Sequence, residues 1–127
     1  MTKDLKYRRI FGDALDAGMK AGAAAVPPEM VVYEANPITG ERIPGRPTYR
    51  VPEGPCGFAW INVRPATTGF ARWLKKNGLA RKAYHGGIDI NVREYGQSLV
   101  RKEAYAKAFA KVLRDYGIKA YEGSRMD

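Results

Sequence analysis

The stretch CGFAWINVRP, residues 56–65, decides how this chain is read. Ala59, Ile61 and Val63 alternate with Phe58, Trp60 and Asn62, which is the period of a β-strand with two unlike faces. The aliphatic set predicts a core face. The other set places two aromatics beside an amide. That second face is either covered by another part of the chain or left open as a platform for a ligand.

Working outward, strand 57–64 is followed by Pro65 and by Thr67 or Thr68 as a helix N-cap. The helix runs to Lys76 with Phe70, Trp73 and Leu74 on its apolar side, and Asn77–Gly78 stops it. Residues 81–84 and 87–93 read as two strands around the turn His85–Gly86–Gly87. Ser98 caps a second helix reaching Tyr116, with Tyr105, Ala108, Phe109, Val112 and Tyr116 inward. Gly117 ends it, and 118–122 is a last strand. Residues 57–122 therefore spell β-α-β-β-α-β, the order of an α+β, ferredoxin-like core with helices on one face of the sheet. In that arrangement strands 57–64 and 87–93 lie side by side. Ile88, Ile90 and Val92 then join the helix-facing set, and Asp89, Asn91 and Arg93 join Phe58, Trp60 and Asn62.

Upstream, residues 4–25 predict a helix with Phe11, Ala14, Leu15, Gly18, Met19 and Gly22 on one stripe. Ala14, Gly18 and Gly22 form a small-residue seam suited to close packing, and Pro27–Pro28 end the helix. The expectation is that this helix lies across the second sheet face and buries Phe58 and Trp60. Residues 30–35 read as a strand. Residues 36–55 are punctuated by proline and glycine and read as an arm, with 48–51 pairing back on 30–35 as a hairpin. The whole chain, 1–127, reads as a single domain, and its Gly-Ser-Arg-Met-Asp end as a frayed tail.

Lys and Arg number 22 against 13 Asp and Glu, a net charge of +9. A small protein so basic repels its own copies and attracts polyanions. The single cysteine, Cys56, excludes an internal disulfide and the usual thiolate zinc site. The N-terminus lacks the apolar core of a signal peptide, and the small-apolar run 21–26 is far too short to span a bilayer. No membrane partner is expected.

Three groups carry candidate chemistry. No acid stands between Glu53 and Asp89, while Arg64, Arg72, Lys75, Lys76, Arg81 and Lys82 do, which predicts a phosphate-contacting rim. The alternative is a solvated surface, and Glu103 and Asp115 favour that alternative for Lys107, Lys111 and Arg114. Phe58, Trp60, Asn62, Asn91 and Arg93 form a candidate ligand face. RNA-recognition domains of this topology stack bases on central-strand aromatics, although their signature motif is absent here. The turn Pro-Ala-Thr-Thr-Gly after the first strand is similar to the phosphate cradle of acylphosphatases. Those enzymes also need an asparagine in the second strand, where this chain has Arg-Lys-Ala-Tyr at 81–84. Cys56 and His85 are the only thiol and imidazole, and a chance pair is the plainer reading. No catalytic residue, metal ligand or cofactor is expected.

The blocks GFAWINVRPATTGFARWLKKNG and YHGGIDINVREYGQSLVRKEAYAKAFAKVLRDYG, with the terminal YEGSRMD, resemble a group of small proteins encoded by tailed bacteriophages. The resemblance covers residues 57–127 and implies a viral protein acting in the host bacterial cytoplasm or the virion. It transfers no functional residue. The leading expectation is a non-catalytic, basic nucleic-acid-binding protein. The alternatives are a virion or assembly protein packing on other subunits, and an inhibitor or sponge directed at a host factor. An exposed sheet edge at 81–84 or 118–122 offers a route to a homo-oligomer.

Overall fold

A computed structural model describes residues 2–27, 30–33, 36–41, 43–45, 48–51 and 54–127, with the backbone course alone at 30–33 and 48–51. Pro28, Pro47, Pro52, Glu53 and positions 34–35 of the expected first strand lie outside the described residues. The elements run α1 (Lys3–Ala24), β1 (Met30–Tyr33), β2 (Thr48–Val51), β3 (Gly57–Arg64), α2 (Gly69–Lys76), β4 (Arg81–Lys82), β5 (Ile88–Asn91), α3 (Leu99–Asp115) and β6 (Lys119–Met126). The class is α+β. β1 and β2 pair antiparallel as a hairpin sheet of their own, as expected for the two ends of the arm. The remaining strands form one antiparallel sheet in the order β4-β5-β3-β6.

Local chemistry explains the boundaries. Thr2, Thr68 and Ser98 cap the three helices, each side-chain oxygen accepting an N–H from the first turn. α2 and α3 end alike. Gly78 and Gly117 adopt positive φ, and the next N–H reaches back to Leu74 O and Leu113 O. Among the described residues, no helix is long and apolar enough to cross a membrane.

The core lies on one side of the four-stranded sheet. Ala59, Ile61, Val63, Ile88, Ile90, Val92 and Ala120 face α2 and α3, and all are buried. Phe70, Ala71 and Leu74 come from α2; Tyr105, Ala106, Phe109, Ala110 and Leu113 come from α3. Each fully buried aliphatic or aromatic side chain is worth about 1.5–3 kcal/mol of transfer free energy, so this layer dominates stability.

α1 does not lie across the outer sheet face. It joins the helix layer, with Ile10 and Ala14 in the same core. Tyr7 meets Phe70 of α2 at 5.7 Å between ring centroids, and Phe11 meets Phe109 of α3 edge-on at 5.5 Å. The small-residue seam explains the choice. A Cβ on Gly18 would stand 3.1 Å from the Tyr105 ring, and one on Gly22 would collide with the ring of Tyr95. The seam makes room for two tyrosines, not for a sheet. Tyr95 is also fixed by its hydroxyl, which donates to Met19 O at 2.5 Å.

Three smaller expectations are corrected. β6 does not end at residue 122 but continues to Met126, pairing with β3 along its full length from Arg64↔Lys119 to Gly57↔Met126. The Gly-Ser-Arg-Met segment is therefore strand, not a frayed tail. Tyr116 is exposed, because α3 turns Tyr105, Phe109 and Leu113 inward; its hydroxyl donates to Asp13 of α1. Met19 is likewise exposed, and Ile10, absent from the predicted stripe, is buried in the core.

Candidate functional site

Among the described residues, no element covers the outer sheet face, where Phe58 is exposed and Trp60 half-buried. Along β3 it presents Phe58, Trp60, Asn62 and Arg64, since the intervening residues point to the core. Register adds the neighbours. On β6, Arg125, Gly123, Tyr121 and Lys119 stand opposite those four in turn. On β5, Asn91 stands opposite Trp60 and Asp89 opposite Asn62, and Arg81 of β4 follows opposite Asp89. The face thus holds three aromatics, four cations and one carboxylate. Phe58 is 38% exposed and Tyr121 56% exposed.

Gly123 shapes the centre of this face. A Cβ there would come within 2.5 Å of Trp60 Nε1 and 2.6 Å of Cε2. The indole therefore lies over the glycine, across the β3–β6 ladder, instead of standing upright from it. An indole in that pose turns a π-face away from the sheet, which is the geometry stacking requires.

The β4–β5 turn folds over one end of the face. Asn62 Nδ2 donates to Gly86 O at 3.0 Å and to Asp89 Oδ1 at 2.8 Å. Its Oδ1 accepts from Arg64 Nε at 2.7 Å, and the Arg64 guanidinium also donates to His85 O at 3.3 Å. Gly87, at φ 68°, allows the close approach: a Cβ there would stand 2.6 Å from Val63 O. The latch holds Tyr84 and His85, packed edge-on at 4.8 Å, beside Trp60 and Tyr121. Between them lies a cleft of about 360 Å³ lined by Trp60, Asn62, Arg64, Tyr84, His85 and Tyr121 among others. Tyr84 is 96% exposed.

The predicted residues fall into two sets. Phe58, Trp60, Asn62 and Asn91 share the outer face, but Asn62 is spent on the latch. Arg93 follows β5, exposed, with its backbone N–H donating to the Glu94 carboxylate at 3.1 Å. The six basic residues do not form one patch. Arg64 and Arg81 belong by register to the outer face. Arg72, Lys75 and Lys76 are exposed on α2, on the opposite side of the sheet. Lys82, with Arg81, sits on the edge strand where the two sides meet. Cys56 stands just before β3 and His85 touches Arg64 at its end, so about 26 Å of strand separates thiol and imidazole. They do not form a pair.

Tyr121, Arg125, Tyr84 and Gly123 were not singled out from sequence. Extending the alternation of the last strand through Gly123 places Tyr121 and Arg125 beside Trp60 and Phe58, so the signal is present once the strand is allowed its full length.

Compared with protein-family models, curated proteins and solved structures, the chain finds no match in any of the three.

Proposed function

We propose that this is a small, non-catalytic nucleic-acid-binding protein of a tailed phage, with a ferredoxin-like core whose outer sheet face receives unpaired bases. The strand order β4-β5-β3-β6, with every neighbour antiparallel, is the order a ferredoxin-like core requires, which supports that part of the reading. The observation that carries the functional part is the uncovered aromatic face: Phe58, Trp60 and Tyr121 on adjacent strands, with Arg64, Lys119, Arg125 and Arg81 around them. Stacking on an aromatic side chain is worth about 1–3 kcal/mol per base, and surrounding cations supply the salt-sensitive remainder. The basic flank of α2 and edge strand β4 extend the positive field past the sheet edge.

The spacing favours single strands. Phe58 and Trp60 lie two residues apart, about 6.7 Å along the strand. Bases in a duplex strand rise about 3.4 Å each, so two neighbouring bases reach both rings only when unstacked from each other.

The test is binding of a labelled oligothymidylate and of a blunt duplex across a salt series. Tighter binding to the single strand is expected, with a log–log salt slope of about −0.7 per phosphate contacted. Trp60→Ala weakens binding to the single strand. Charge reversal at Lys75 and Lys76 weakens both complexes through the field. Binding that is absent, or indifferent to salt, contradicts the reading. The separate β1–β2 hairpin favours a second reading, an assembly protein gripping neighbouring subunits, which predicts the protein in purified particles by mass spectrometry.

A further inference from the structure

Lys102 is 5% exposed, yet its side chain makes no hydrogen bond or ion pair with any described residue. It lies in the first turn of α3, where the helix dipole disfavours a cation. Its side chain is directed at the outer face: Nζ is 5.7 Å from the centroid of the Phe58 ring. Arg125, opposite Phe58 on β6, brings its guanidinium carbon to 5.1 Å from the same centroid. Cation–π attraction to Phe58 favours this placement, but no described side chain neutralises the Lys102 charge, and the helix dipole opposes it. Two cations converging on one exposed ring also repel each other.

We infer that Phe58, Lys102 and Arg125 form a nucleotide subsite, in which a base of a single strand stacks on Phe58 and its phosphate sits by Arg125. The inference rests on the reading of the outer face as a single-strand platform and locates one end of the path. Arg125 is exposed and makes the direct phosphate contact. Lys102 acts from beneath the ring. Its charge, 5.7 Å from the ring centroid, raises the potential over Phe58. The phosphate supplies a negative charge facing the two cations. The other end of the path is the cleft at Trp60, Tyr121 and Arg64.

The experiment compares Lys102→Met and Arg125→Gln with the unaltered protein, using an oligothymidylate in a salt titration and thermal melting without ligand. Lys102→Met keeps the length of the side chain and removes the charge. It is expected to raise the melting temperature while weakening binding about fivefold or more. Arg125→Gln is expected to weaken binding and reduce the salt slope by about 0.7, one phosphate contact. Lys107→Met, on an exposed position of α3, is the control and leaves both measurements unchanged. If Lys102→Met lowers the melting temperature and leaves binding unchanged, the lysine is structural and the subsite is refuted while the platform stands. If both variants bind as tightly as the unaltered protein, the subsite is likewise refuted. If the unaltered protein binds no oligonucleotide, the platform itself falls and the subsite with it.

Discussion

Asp4 and Trp73 tie the first turn of α1 to α2. The indole N–H donates to Asp4 Oδ1 at 2.8 Å, and Arg8 donates to the other oxygen at 2.9 Å. The Trp73 hydrogen bond, then that from Arg8, holds the Asp4 carboxyl below its ordinary value of 3.8. A carboxyl lowered in the folded state contributes stability above its unfolded pKa and loses it as pH falls through the folded one. Trp73→Phe removes the larger cause, so the Asp4 carboxyl should move up toward 3.8 in an NMR pH titration. An unmoved titration contradicts the tether. The same scale shows what a pattern of residue types conceals. Trp73 was legible as apolar, but its partner 69 positions away was not, because hydrogen bonding between elements leaves no periodic trace. Phe58 and Trp60 were legible as an unlike face. That Asn62 serves the turn and not a ligand depends on where Gly86 and Asp89 arrive in space.

Among the elements, α1 and β6 depart most from their sequence reading, each for a tertiary reason. An apolar stripe says that a helix has a face to bury, not which surface receives it. Here the receivers are Tyr95 and Tyr105, so Gly22→Ala, which favours an isolated helix, should instead destabilise the protein by about 1–3 kcal/mol through overpacking against a pinned ring. Urea unfolding measures the sign; a stabilising alanine would show that the seam is not close-packed. β6 contains glycine, serine and charged residues that are weak strand formers, and only its register with β3 makes it a strand. Ending the chain after Glu122 should remove that pairing over the first half of β3 and cost on the order of 2–4 kcal/mol, at about 1 kcal/mol per ladder hydrogen bond. A chain so shortened that melts like the full one would return 123–127 to the status of a loose tail. The core face of 57–64 needed no such help, since its aliphatic alternation matches that of Ile88, Ile90 and Val92.

For the whole molecule, the placement of α1 links fold to function. Three helices share one side of the sheet, and no described element covers Phe58, Trp60 and Tyr121 on the other side of a protein of net charge +9. Composition made the charge plain, but its distribution needed the fold, which divides the six predicted cations between two sides of the sheet. On the proposed reading, the indole of Trp60 is a stacking surface for unpaired bases. The chain has two tryptophans, so the Trp73→Phe background leaves Trp60 as the only indole. Titrating that protein with oligothymidylate at low salt should quench Trp60 fluorescence saturably. The quench should reverse with added salt and be sharply reduced by Gly123→Val, which displaces the ring. Unchanged Trp60 emission at oligonucleotide concentrations that saturate binding would contradict the account.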